Sequence, residues 1–268
     1  MSNFHKYSAY YDLLYGDKDY AAEAGYVARA IRKLNPAART ILEFGSGTGR
    51  HGRLLARLGF EVHGIERSPE MVALARAVPA SLDASGSFTC EIGDVCTLKL
   101  DRRFDAIIAL FHVMSYQTTD DALRAAFANA AAHLAPGGIF LFDVWHGPAV
   151  LFQKPSERVK EVADERRRVK RFARPKLDEK RKTVAVVYEM ECEDKVSSER
   201  AFFSEEHLMR YLFPEEIDAF AGACGLHRIS TEEFLTGRPQ SSDTWGVAYV
   251  LQRCRSELLL EAEVHKLG

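Results

Sequence analysis

The sequence predicts an α/β fold: a doubly wound, mostly parallel sheet with a small antiparallel sheet inserted late in the chain. Three observations lead there. Residues 40–145 alternate short apolar runs with amphipathic stretches, the pattern of strand–helix units around a parallel sheet. A glycine-rich loop, Gly45-Ser46-Gly47-Thr48-Gly49, follows the first apolar run and opens a helix. The rhythm breaks after Pro148 and resumes at Pro214.

The first half divides readily. Strands are expected at 40–44, 61–65, 88–92, 104–111 and 138–145, and helices at 50–58, 69–78 and 120–134. Ser68 and Pro69 supply an N-cap and a first-turn proline for the second helix. Pro136-Gly137-Gly138 reads as a helix stop followed by a turn. Beyond Pro148, residues 158–182 are rich in basic side chains, and 183–191 and 200–213 alternate as antiparallel strands do. A helix at 214–225 and strands at 226–234 and 245–253 complete the pattern. The expected division is a core of 1–149 and 214–254, an inserted subdomain at 150–213, and a tail at 255–268 that continues as a helix, caps a homodimer or frays.

Composition narrows the function classes. The chain has 268 residues, 47% hydrophobic and 28% charged, with a formal charge of −2. That length buries a core without staples, and the charge offers no general attraction to nucleic acid. Five dispersed cysteines with no C-x-x-C pair read as reduced thiols. The N-terminal residues lack the basic and apolar regions of a secretory signal, and no apolar run approaches a membrane span, so a cytoplasmic location is expected. The nine histidines form no ligand-spaced set, so no metal is expected.

The glycine loop carries the strongest local signal. Its glycines permit positive φ and close approach of a ligand, and backbone N–H groups at a helix start receive carboxylate or phosphate. The spacing is G-x-G-x-G, with Arg50 following, rather than the dinucleotide fingerprint G-x-G-x-x-G. Acids close three successive strands: Glu43 just before the loop, Glu66 on the second, where a carboxylate accepts from both ribose hydroxyls, and Asp94 on the third, where it pairs with an adenine edge together with the next N–H.

These residues, E-x-G-x-G-x-G at 43–49, Glu66, Asp94, FDAIIALF at 104–111 and PGG before GIFLFDVW, resemble the class I S-adenosylmethionine-dependent methyltransferases. The resemblance covers about residues 40–145, plus the last helix and two strands by pattern. It implies a Rossmann-like, seven-stranded sheet in the order 3-2-1-4-5-7-6, with the last strand antiparallel. It implies S-adenosyl-L-methionine as cofactor, its methionine part held at Gly45, Ser46, Gly47 and Gly49, its ribose by Glu66 and its adenine by Asp94 and Val95. Met71 either packs on the adenine face or belongs to the helix core.

The flanks, YSAYYDLLYGDKDYAAEAGYV and EEHLMRYLFPEEIDAF, resemble a smaller group, the sugar N,N-dimethyltransferases acting on amino sugars carried on nucleoside diphosphates. The implied acceptor is a small molecule of that kind; O-methylation of a saccharide or small acid, or a non-catalytic scaffold, are the alternatives, and neither nucleic acid nor membrane is an expected partner. A helix near residues 4–20 carries five tyrosines, whose faces attract a sulfonium cation or pack as core; Tyr11 and Tyr20 match the group's pattern.

After the fourth strand comes FHVMSYQ, with Phe111 toward the cofactor. Tyr116 stands where the resembled enzymes can carry histidine, and a phenol is a poor base at neutral pH. Tyr116 therefore orients the amine, or His112 serves as base, or neither does. Trp145 stacks on the acceptor or closes the core. On the inserted strand, His207, Met209, Tyr211 and Phe213 share one face, and Arg210 on the other suits a diphosphate or carboxylate. Tyr211 is expected at the acceptor. The run Arg166, Arg167, Arg168, Lys170 and Arg171 is a solvated hairpin edge or a phosphate contact.

Overall fold

The computed structural model describes residues 6–79 and 84–254. The main sheet has seven strands: β1 (Thr40–Phe44), β2 (Glu61–Glu66), β3 (Ser87–Ile92), β4 (Phe104–Ala109), β5 (Leu134–Trp145), β10 (Leu226–Glu233) and β11 (Gly246–Arg253). They run in the order β3-β2-β1-β4-β5-β11-β10. β11 is antiparallel to both neighbours and the other pairings are parallel, matching the expected topology.

The central strands β1, β4, β5 and β11 are covered on both faces and are largely apolar, whereas the edge strands β3 and β10 are more polar and partly exposed. On β5, Phe140, Phe142 and Val144 pack with Phe44, Phe127 and Tyr249 under the helices α5 (Asp120–His133) and α7 (Pro214–Gly222). Ile139 and Leu141 point the other way, with Ile41, Ile108 and Val62, against α2 (Tyr20–Leu34) and α3 (Arg50–Arg57). The helix α4 (Pro69–Ala77) starts where expected, Ser68 Oγ accepting from the Met71 N–H.

Three boundaries differ from the sequence reading. The single helix expected near 4–20 is α1 (Ser8–Leu14), and α2 is a separate helix begun by Asp19, whose side chain accepts from the Ala22 N–H. The fourth strand stops at Ala109, because Phe111 and His112 take left-handed φ values of 64° and 65°. β5 starts at Leu134 and absorbs Pro136-Gly137-Gly138 as an irregularity: Phe104 faces Leu134, yet Ala106 already faces Ile139. Gly137, at φ 76°, accommodates that slip.

After the short α6 (Gly147–Gln153), a four-stranded antiparallel meander forms a second sheet: β6 (Arg158–Ala163), β7 (Arg167–Asp178), β8 (Thr183–Asp194) and β9 (Arg200–Arg210). The basic stretch 158–182 thus holds two strands, and the run 166–171 spans the turn between them and the start of β7. Arg166 and Arg167 pair with Asp194 and Asp164 at a hairpin turn, and Arg168 lies near Glu161 and Glu193. Arg171 turns inward. The three fates expected for the tail concern residues 255–268, which lie outside the described residues.

Candidate active site

The C-terminal ends of β1, β2, β3 and β4 open onto a cavity of about 370 Å³, roofed by α1 and by the faces of β8 and β9. Open α/β sheets bind ligands at this edge. Gly45, Gly47 and Gly49 all have positive φ. A Cβ on Gly45 would sit 2.4 Å from Val113, whereas one on Gly47 would meet nothing within 4 Å. Gly45 is therefore required by packing, and Gly47 leaves room for a ligand against bare backbone.

Glu66 is positioned by that loop: its carboxylate accepts from the Gly47 N–H at 3.0 Å and the Ser68 N–H at 2.8 Å. Burial nevertheless pushes its pKa up from the ordinary carboxyl value. Asp94 accepts from the Cys96 N–H at 2.8 Å, which fixes the turn after β3, and with Val95 it lines the cavity. Met71, from the first turn of α4, also lines the cavity although it is almost fully buried.

Glu43 departs from expectation. It is 2% exposed, does not line the cavity, and lies beneath the start of α3. Burial raises its pKa to about 8, Glu66 adding to the rise and Arg53 opposing it. Gly49 likewise stands back from the cavity, as the N-cap of α3 packed against Phe88.

The tyrosines of the N-terminal segment form the roof. Tyr7, Tyr11, Tyr15 and Tyr20 all line the cavity. Tyr15 stands perpendicular to Phe111 at 4.9 Å and tilted to Tyr11 at 4.8 Å. Burial raises the phenols of Tyr7, Tyr11 and Tyr116 well above their ordinary range and that of Tyr20 to about 12, so these hydroxyls are neutral donors. Two ties hold the roof. Thr48 Oγ1 donates to Asp12 at 2.8 Å, joining α1 to the glycine loop. Arg171 donates to the Tyr7 and Tyr15 hydroxyls at 2.7 and 2.9 Å, joining α1 to β7, and its guanidinium lies over Tyr188.

On the far side, Phe111, His112, Tyr116 and Trp145 all reach the cavity, joined by Tyr188, His207, Met209 and Trp245. The Tyr116 hydroxyl shares a 2.9 Å hydrogen bond with His207 Nδ1, linking the core to the inserted sheet. Burial lowers the His207 pKa to about 4. His112 makes a different pair: its N–H reaches both Asp143 oxygens at 3.2–3.3 Å, and its ring Nδ1 lies 2.6 Å from Asp143 Oδ2, off the line of an ideal N–H···O bond. Burial pushes Asp143 up, but the His112 ring and amide outweigh it and hold the carboxyl below its ordinary range.

Arg210 and Tyr211 correct the sequence reading. Arg210 is 6% exposed and bonded to Asp120 at 2.7 Å and Glu216 at 2.8 Å, on the face of β9 turned away from the cavity. Its charge is consumed in holding β9 to α5 and α7. Tyr211 lies beyond the end of β9, packed in a cluster with Val150, Val184 and Val186. His207, Met209 and Tyr211 do share one face, since Val184 and Val186, opposite Met209 and His207, also pack on Tyr211; Tyr211 lies farther along it, over Val150 of α6, and does not reach the cavity. Sequence reasoning misses Tyr188 and Trp245 as cavity residues, and Arg50 and His51 as well. Arg50 and His51 follow the glycine loop directly, a signal that is present in the string; Tyr188 and Trp245 depend on how two sheets meet.

Residues 41–138 match the family model described as a methyltransferase domain. The chain carries a methyltransferase domain of class I fold. Over 141 residues it is 36% identical to the dTDP-3-amino-3,4,6-trideoxy-alpha-D-glucopyranose N,N-dimethyltransferase of Streptomyces venezuelae, a match covering 52% of this chain and 56% of that enzyme. The matched region thus spans about half the length of such curated relatives. Two solved structures extend the likeness across the chain. An amino pentose methyltransferase from Micromonospora echinaspora is 29% identical with a TM-score of 0.71, covering 94% of this chain and 98% of that one. A sugar N-methyltransferase from a Streptoalloteichus species is 28% identical with a TM-score of 0.76, covering 91% and 92%. The methyltransferase domain's cofactor is S-adenosyl-L-methionine, and the open backbone at Gly47 together with the acids Glu66 and Asp94 fits it.

Proposed function

We propose that this protein methylates the amino group of a sugar carried on a nucleoside diphosphate. The observation that carries the reading is the continuity of one cavity, from the Gly47–Glu66–Asp94 cradle to an aromatic acceptor side at Trp145 and Trp245. The names of the relatives, dTDP-amino sugar N,N-dimethyltransferases and sugar N-methyltransferases, support the acceptor class.

When bound, S-adenosyl-L-methionine supplies an electrophilic methyl group on a sulfonium. The protein's task is then to orient, exclude water and manage one proton. Glu66 and Asp94 offer carboxylates for a ribose and an adenine, with Ser46, Val95 and Met71 beside them. Tyr11, Tyr15, Tyr20 and Phe111 present aromatic surface for a cation, worth about 0.5–2 kcal/mol per favourable contact. The roof ties through Asp12 and Arg171 keep that surface over the reacting groups and water out. Tyr116 and His112 stand on the acceptor side, and Trp145 offers a face on which a sugar stacks.

Titration calorimetry with S-adenosylhomocysteine, followed by mass spectrometry of products from dTDP-linked amino and hydroxy sugars, tests the proposal. Gain of one or two methyl groups on the amino sugars supports it. Binding without transfer to any amine, or transfer to hydroxy sugars alone, overturns it.

A further inference from the structure

We infer that His112, backed by Asp143, accepts the proton of the acceptor amine, and that Tyr116 does not. This role rests on the N-methylation proposed above and assigns its proton-handling residue.

The backbone is the first ground. Phe111 and His112 are consecutive non-glycine residues with φ of 64° and 65°, at the end of β4. A left-handed conformation is strained for an L-residue, and such strain persists where surrounding structure enforces it, often at functional sites. Here the Asp143 carboxylate, 1% exposed, receives the His112 N–H and holds the bend. The bend delivers the imidazole into the cavity, between Phe111 at 5.7 Å and Trp145 at 6.1 Å.

The ring's two nitrogens are the second ground. Nδ1 faces Asp143 at 2.6 Å, and among the described residues Nε2 has no hydrogen-bonding partner. A buried carboxylate against one imidazole nitrogen sets the tautomer and stabilises the charged ring once the other nitrogen takes a proton.

Exclusion of the neighbouring pair is the third. The Tyr116 hydroxyl is engaged with His207 Nδ1 at 2.9 Å. Burial moves the two groups in directions that keep both neutral: the phenol rises above its ordinary range and the imidazole falls to about 4. That pair is a strut between the short 3₁₀ turn Val113–Tyr116 and β9 rather than a proton acceptor.

In the transfer itself, an ammonium acceptor gives one proton to His112 Nε2, freeing its lone pair. The nitrogen lone pair forms the N–CH₃ bond as the S–CH₃ bond breaks, the electron pair of that bond staying on sulfur. The imidazolium then loses its proton to water, and a second turnover on the same nitrogen repeats the sequence.

Kinetics and a readout that needs no acceptor together test the assignment. His112→Asn, chosen because asparagine tolerates left-handed backbone, should keep affinity for S-adenosylhomocysteine in calorimetry while kcat on a dTDP-amino sugar falls about 10²–10⁴-fold, the range for losing a general base. Added imidazole should restore part of the loss, and Tyr116→Phe should lower kcat far less. Histidine-selective ¹⁵N NMR at neutral pH should show His112 protonated on Nδ1 in the wild type and lose that preference in Asp143→Asn. An unchanged kcat in His112→Asn, or an Nε2-protonated ring in the wild type, overturns the assignment while leaving amine methylation intact. Absence of transfer to any amine by the wild type instead overturns the proposed function, and the role of His112 with it.

Discussion

Replacing Glu43 with glutamine should stabilise the protein at neutral pH, by an amount that grows with pH. Burial moves this carboxyl from an ordinary value of 4.5 to about 8. Between those values the unfolded chain is ionised while the folded one keeps its proton, so the folded state is progressively disfavoured as pH rises. The stability contribution is intact below 4.5 and is lost on the way to 8. At pH 7, roughly two and a half units above the unfolded value, the penalty is about 3 kcal/mol at about 1.4 kcal/mol per unit. Glutamine keeps the shape and an oxygen for the Gly52 N–H without a titration. For a chain of this size the melting temperature should rise by about 6–12 °C at pH 7, taking about 2–4 °C per kcal/mol. Near pH 5 the gain should shrink to a small fraction. Thermal melts of both proteins from pH 5 to 8 measure it. A gain independent of pH, or none at pH 7, would refute a protonated Glu43 in the native state.

Other outcomes depend on the same geometry. Gly47→Arg projects a side chain into open cavity and should abolish S-adenosylhomocysteine binding in calorimetry, with an unchanged far-ultraviolet dichroism spectrum. Arg210→Met removes two charge-assisted hydrogen bonds but leaves Asp120 to solvent and Glu216 on Lys182, so it should cost about 1–3 kcal/mol in urea unfolding, with KM for a nucleotide sugar unaltered; a raised KM would return Arg210 to the acceptor site. Asp12→Ala removes the tie from α1 to Thr48 and should speed dissociation of S-adenosylhomocysteine in stopped flow, with about 1 kcal/mol lost in stability. His207, held near 4 against an unfolded value of 6.5, contributes stability that is complete above 6.5 and lost as pH falls toward 4. His207→Gln should flatten that acid limb in denaturant titrations.

Much of the fold is legible in the sequence because the governing signals are local. The glycine loop, the Ser68-Pro69 helix start and the β-run lengths each follow from residues a few positions apart, and the parallel core needs near-continuous apolar strands that are visible in one dimension. The boundary differences have equally local causes that no pattern announces. Phe111 and His112 carry side chains that disfavour left-handed backbone, so nothing in the string marks the end of β4 there. Among site residues, those fixed by one strand end, such as Gly47, Glu66 and Asp94, can be found from the string. Glu43 cannot, because a strand-end acid faces either the crevice or the adjacent helix, and the string does not say which.

By itself, the sequence determined the class of fold, the order of its elements and the glycine loop and acids at the strand ends, because each depends on periodicity and on conformations that glycine and proline allow. Tertiary structure decided how charges and protons are placed. Arg210 is neutralised by acids 90 and 6 residues away, Arg171 is bonded by tyrosine hydroxyls 164 and 156 residues away, and His112 meets Asp143 across two strands. Electrostatic character depends on burial and on partners distant in the chain, and both exist only once the two sheets and the N-terminal roof have come together.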